Sequence, residues 1–241
     1  MKKILIAAQI ALLCSTTACQ KTNTQVAMED NNDEIYMLLG NYAKAEEQGI
    51  LVYKFNQETA QDTLISGVSG ISNPSFLCIS KDASKVYAVG EDEGLTSTAN
   101  ALSFDKNTGT LTLLNSQLTQ GGAPCNISLS PNEDFVYTAN YHGGNLSEFR
   151  VKEDGTLDTV CVIPFKGTGA HPERQTKPYL HSAYFTPDNK LMLANDLGTD
   201  SIHIFPVLDA PKNGSILDKQ AETSLYTAPG AGPRHMCFAP N

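Results

Sequence analysis

Pro178-YLHSAYFTP-Asp188 decides the fold, because it recurs. Asn73-PSFLCISK-Asp82, Ala123-PCNISLSP-Asn132 and Gly232-PRHMCFAP-Asn241 share its frame, a short apolar alternation that runs into a turn residue. The closing Asp82, Asn132, Asp188 and Asn241 stand 50, 56 and 53 residues apart. A period of this size signals an array of repeated units. Three more β patterns follow each copy. The second is Val86–Val89, Phe135–Ala139 and Leu191–Ala194, and the third is Ala99–Phe104, Asn145–Phe149 and Ser201–Phe205. The fourth is weaker: 106–114, 152–160 and 212–220, with Gly109, Gly155 and Gly214 placed for the positive φ of a tight hairpin. Four short strands per unit with no helical period predict an all-β chain, a β-propeller built of four-stranded blades. A sandwich would not restart the same four-strand unit so regularly.

Working outward, Glu34-IYMLLGNYAKAEEQGILVYK-Phe55 matches strands two and three of a blade, with Thr63–Ile65 as the fourth and no first strand before it. At the other end, the copy at 232–241 is a first strand with nothing after it. About four blades are expected in this chain, with the propeller cut short at its C-terminal side. Residues 1–19 lie outside the fold. Lys2 and Lys3 precede an apolar run to Cys14, and Thr16-TA-Cys19 closes it, which is the pattern of a bacterial export signal. Cys19 is the expected lipid-bearing residue of a lipoprotein, with ordinary signal cleavage as the alternative. Either way the protein is expected to be exported, periplasmic or lipid-anchored to the envelope. Residues 20–33 are polar and read as a flexible linker, leaving 34–241 as one domain.

The whole chain carries a formal net charge of −9, and without Lys2 and Lys3 there are 15 basic against 26 acidic groups. That surface does not draw nucleic acid or anionic lipid, so membrane contact is expected only through Cys19. Cys78, Cys125, Cys161 and Cys237 show no metal-ligand spacing and read as small buried hydrophobes. No metal or other cofactor is expected, and the chain has no nucleotide-binding glycine motif.

In a propeller the first strand of each blade lines the central channel. Seven residues before each closing Asp or Asn stand Ser75, Cys125, His181 and Arg234. The positions two and four further on are Leu77 and Ile79, Ile127 and Leu129, Ala183 and Phe185, and Met236 and Phe238, expected to be buried by alternation. The four earlier positions should therefore ring one mouth of the channel, with His181 and Arg234 adjacent. An imidazole titrating near neutrality can take a proton from water, and a guanidinium can hold an anion or a developing oxyanion. This pair is the candidate catalytic site. Gly169-AHPERQTK-Pro178 enters on the same side, so His171, Glu173 and Arg174 are placed to project over the channel. Asp196 either caps turn amides or touches substrate. Glu173, Arg174, Asp196 and His235 are the candidate substrate-binding residues. His203 reads as structural, and His142 as part of a hairpin loop.

Together, Gly40-NYAKAEEQGILVYK-Phe55, Asn140-YHGGNLSE-Phe149, His171-PER-Gln175, Pro178-YLHSAYFTP-Asp188, Asp196-LGT-Asp200 and Gly230-AGPRHMCFAP-Asn241 resemble the β-propeller lactonase family, which contains 6-phosphogluconolactonases and the carboxy-cis,cis-muconate cyclase. The resemblance runs through nearly all of 34–241. It implies a seven-bladed fold of which about three blades are absent here. It also implies hydrolysis of a lactone by an enzyme whose catalytic histidine matches His181 and whose substrate-gripping arginine matches Arg234, and a metal-independent monomer is expected. A further catalytic glutamate is expected beyond Asn241. Many relatives carry His where Tyr179 stands. The rival readings are a carboxymuconate-type cycloisomerase and a non-catalytic propeller that binds protein or glycan.

Overall fold

The computed structural model describes residues 34–239. The expected export signal, Cys19 and the 20–33 linker lie outside the described residues, as do Pro240 and Asn241. Among the described residues, alternating β-branched and aromatic residues between glycine and Asx turns fold into sixteen strands, and only one 3₁₀ turn, Gly94–Thr96, interrupts them. β1 (Glu34–Gly40), β2 (Ile50–Asn56) and β3 (Asp62–Val68) form a three-stranded sheet. β4 (Leu77–Ile79), β5 (Lys85–Gly90), β6 (Thr98–Asp105) and β7 (Thr110–Leu118) form the next, paired in chain order. β8 (Pro124–Leu129), β9 (Phe135–Asn140), β10 (Asn145–Val151) and β11 (Leu157–Pro164) repeat that order. In the last sheet β12 (Leu180–Phe185), β13 (Leu191–Asp196) and β14 (Ser201–Lys212) are followed by a split outer strand, β15 (Ser215–Leu217) and β16 (Thr223–Tyr226). All pairings are antiparallel. These are consecutive blades of a β-propeller, and Gly109, Gly155 and Gly214 take positive φ at 70°, 87° and 78° in the hairpins that need it.

The core lies between blades. Because side chains alternate along a strand, Val86 and Ala88 of β5 pack toward Ile50 and Val52, while Tyr87 and Val89 pack toward Ile127 and Val136. A third cluster, with Tyr137, Leu146, Leu180, Met192 and Phe205, joins the last two blades. The expected apolar pairs hold in part: Ile127 and Ala183 are buried, and Leu129 and Phe185 are half-buried. They fail elsewhere. Ile79 is 44% exposed and Phe238 40% exposed, and on β1 the row Ile35, Met37 and Leu39 faces outward.

Two further expectations change. Residues 231–239 form no strand, although they copy the first-strand pattern. A strand needs a ladder of partners, and no second strand lies beside this segment among the described residues. The four cysteines among the described residues are free, but they do not behave alike. Burial pushes the Cys78 and Cys125 thiols up to about 12, as suits small hydrophobes. Cys237 is exposed, and Cys161 lies in a polar cluster with Glu148 and Lys219.

Candidate active site

The innermost strands β8 and β12 are neighbours, and each carries a register irregularity at the same place. Pro124 pairs with Asn140 and Asn126 with Ala139, which leaves Cys125 without a partner opposite. Leu180 pairs with Asp196 and Ser182 with Asn195, which does the same for His181. A bulge re-aims the side chain of its extra residue. Both side chains line one cavity of about 300 Å³ at the ends of these strands.

Arg234 closes the site. Its Nε donates to His181 Nε2 at 2.7 Å, while its own carbonyl accepts from Ser182 Oγ at 2.9 Å. Ser182 in turn accepts from Asn195 Nδ2 at 2.9 Å. The imidazole is wedged between aromatic rings, 5.6 Å from Tyr141 and 4.7 Å from His235, both edge to face. Burial, then the Arg234 charge, then His235 hold the pKa of His181 down at about 4. The ring is neutral at pH 7. Because Nε2 accepts from Arg234, the ring proton sits on Nδ1, which is buried and has no hydrogen-bond partner among the described residues.

The cavity wall repeats as the blades do. Glu91, Tyr141 and Leu197 each follow the last residue of a second strand, Gly90, Asn140 or Asp196, and all three line the cavity. Glu91 is the one carboxylate in that wall, fixed from two blades. Its Oε2 accepts from Tyr42 Oη at 2.9 Å and from Ser75 Oγ. Burial and then Glu91 raise the Tyr42 phenol above its ordinary range. Tyr141 also stacks at a tilt on Tyr179, 4.9 Å away, and Lys177 Nζ lies 5.3 Å over the Tyr179 ring.

Of the residues singled out in the sequence, the structure brings together His181, Arg234 and Arg174 around the cavity, with the His235 ring against His181. Glu173 stays on the exposed surface of the 171–175 turn, where its N–H donates to His171 Nδ1 at 3.3 Å. Asp196 is no part of the cavity wall. It is fully buried, and its Oδ1 accepts from the N–H groups of Tyr179 and Gly198 at 2.8 and 2.9 Å. It is a turn cap, and its other oxygen lies 3.5 Å from His203 Nε2. His203 is held from the far side by Glu222 and Ser224 and stacks on Phe165 at 4.0 Å. His142 is exposed in its loop. Sequence reading missed Glu91, Tyr141 and Leu197. Their shared place after the second strand was the available signal. Among the described residues no group of three or more His, Cys, Asp or Glu is arranged to hold a metal ion.

Two guanidiniums, one carboxylate and a neutral imidazole in one cavity can bind a polar anion, polarise a carbonyl and accept a proton. Comparison with known proteins points the same way. Residues 36–241 match the model of the family described as lactonase, 7-bladed β-propeller. The chain is 37% identical over 205 residues to the 6-phosphogluconolactonase of Bacillus subtilis, covering 84% of this chain and 56% of that protein. A solved structure from Bacteroides fragilis, named for 6-phosphogluconolactonase activity, superposes with a TM-score of 0.80 at 41% identity, covering 87% of this chain and 59% of the other. The periplasmic gluconolactonase of Pseudomonas aeruginosa superposes with a TM-score of 0.74 at 27% identity, covering 85% of this chain and 58% of the other. The chain therefore spans a little over half the length of these relatives.

Proposed function

The chain belongs to the family of seven-bladed β-propeller lactonases, and on that premise we propose that it opens a sugar lactone by attack of water, as an exported protein. The observation that carries this reading is the 2.7 Å contact between Arg234 Nε and His181 Nε2 at the cavity wall. A neutral imidazole is in the form a general base requires, and an adjacent guanidinium is the group that stabilises charge on a carbonyl oxygen. In the structure the two satisfy each other. A lactone carbonyl that draws the guanidinium to itself frees the Nε2 lone pair for water. The proton taken from water passes to the ring oxygen as the ester bond breaks, and a hydroxy acid leaves.

Arg174 at the cavity wall is suited to an anionic substituent, phosphate or carboxylate. Glu91 favours a polyhydroxylated ring, because a carboxylate accepts from hydroxyls and repels a second carboxylate at close range. That choice supports an aldonolactone over a muconolactone. The N-terminal signal pattern and Cys19 support export, with lipid anchoring at Cys19, and the periplasmic gluconolactonase among the relatives agrees with such a setting.

Purified protein assayed on gluconolactone, its 6-phosphate and a carboxymuconolactone, corrected for spontaneous opening, is expected to turn over the sugar lactones. Preference for the muconolactone would favour cycloisomerase chemistry. Folded protein inert on all three would leave a binding propeller. The pH profile adds a second check. The His181 pKa is depressed to about 4 in the folded protein, so the active neutral form is present above that value and lost as pH falls through it. The acid limb of kcat/KM, which reports the free enzyme, is expected near pH 4. A limb near the ordinary histidine value of about 6.5 would count against a buried His181 as the base.

A further inference from the structure

Asp200 sits outside the cavity wall, in the turn between β13 and β14, and only 6% of it is exposed. Its carboxylate takes four donors from two segments far apart in the chain. Oδ2 accepts from the N–H groups of Ala170 at 3.2 Å and Gly230 at 2.7 Å. Oδ1 accepts from Gln175 Nε2 at 2.6 Å and from Gly232 N–H at 2.9 Å. Each segment carries one of the two cavity arginines: Arg174 lies beside Gln175, and Arg234 lies two residues after Gly232. Gln175 ties its own turn closed as well, with Oε1 accepting from His171 N–H at 2.7 Å. Burial pushes the Asp200 pKa up, but the Gly230, Gly232, Gln175 and Ala170 donors outweigh it and hold it at about 2, so all four meet a charged acceptor at neutral pH.

We propose that Asp200 is a positioning residue, a single carboxylate that clamps the 170–175 and 230–232 segments together and so delivers Arg174 and Arg234 to one cavity. Neither segment has strand partners to fix it, since residues 165–179 and 230–239 lie outside the sheets. One buried acceptor shared by both sets their separation. The backbone of Asp200 is left-handed, at φ 55°, a region that Asn tolerates as well as Asp. Asp200→Asn therefore keeps the turn and the side-chain size. It turns one acceptor oxygen into an NH₂ group that faces N–H donors.

The test combines native-state trypsin digestion with kinetics. Trypsin cuts after Arg174 and Arg234, so cleavage at both bonds is expected to run about tenfold faster or more in D200N, the scale of one lost hydrogen bond to a charged group. Gln175→Ala removes one donor of the four, on the 170–175 side, and with it the bonds to His171 N–H and the Leu197 carbonyl, while Ala170 N–H stays on Asp200. It is expected to speed cleavage after Arg174 and leave Arg234 unchanged, and it decides the matter if D200N does not fold. Equal resistance to trypsin in wild type and Q175A overturns the proposal, as does unchanged resistance in a folded D200N. The kinetic arm rests on the lactonase reading. KM for an anionic sugar lactone is expected to rise about tenfold in D200N and in R174A, with R174A/D200N less than additive because part of the D200N effect runs through Arg174. Full additivity overturns the positioning role. Faster cleavage in a protein that opens no lactone supports the clamp and overturns the lactonase reading instead.

Discussion

Alanine at Arg234 or at His181 is expected to lower kcat/KM on a sugar lactone by at least about 100-fold, the lower end of general acid–base and oxyanion effects. The two changes should not multiply. Arg234 Nε and His181 Nε2 are each other's partner in the structure, so removing either one also releases the other. In R234A the imidazole loses the nearest positive charge, the second cause of its depressed pKa, and the acid limb of the pH profile moves upward from about 4. In H181A the Arg234 carbonyl keeps its bond from Ser182 Oγ, but the guanidinium loses the acceptor that aims it. The double variant is expected to be about as slow as the worse single one, as for groups that act as a unit. Wild-type rates in both single variants would remove these residues from the chemistry.

The largest effect on stability is expected at Glu148, a fully buried carboxylate at the junction of the last two blades. Its Oε1 accepts from Tyr137 Oη at 2.7 Å and from Ser215 Oγ at 2.8 Å. Its Oε2 takes the Cys161 thiol at 3.2 Å and lies 3.5 Å from Lys219 Nζ. Ser215 and Lys219 belong to the last blade, whereas Glu148, Tyr137 and Cys161 belong to the one before it. Glu148→Ala leaves two buried hydroxyls without an acceptor and opens a space between blades. A loss of about 3 kcal/mol is expected in chemical denaturation. Glu148→Gln keeps an oxygen for Tyr137 and Ser215 and loses the charge facing half-exposed Lys219 together with the acceptor of the Cys161 thiol, so about 1 kcal/mol is expected. Equal losses in the two variants would mean that the charge, and not the pair of hydroxyl bonds, holds the blades.

The blades and half of the candidate site were legible in the chain alone. Strand alternation, the hairpin glycines and the Pro-Asx turns are properties of near neighbours, so four copies of one frame sufficed to set the strand order and to put His181 and Arg234 in the same slot. The same reasoning failed wherever a residue answers to distant chain. The first-strand pattern at 232–239 forms no strand, because a strand is made by its partner and none stands beside it among the described residues. Asp196 and Glu173 have the right residue type and the right loops, yet one is consumed by turn amides and the other stays on the surface. Glu91 enters the site through Tyr42 and Ser75, and Asp200 governs it from the far side of a turn through Gly230 and Gln175. Even His181 reaches the cavity through a bulge, which a strict period of two cannot register.

Thus the sequence by itself determined the wheel of four-stranded blades and two members of the site, since a repeating local pattern needs no tertiary information. The tertiary structure alone decided that Arg234 quenches the basic nitrogen of His181, that Glu91 is the cavity's acid, and that Asp200 ties two loops together. Each of these rests on a few ångströms between residues from 16 to 53 positions apart, a distance that folding sets and that spacing along the chain does not encode.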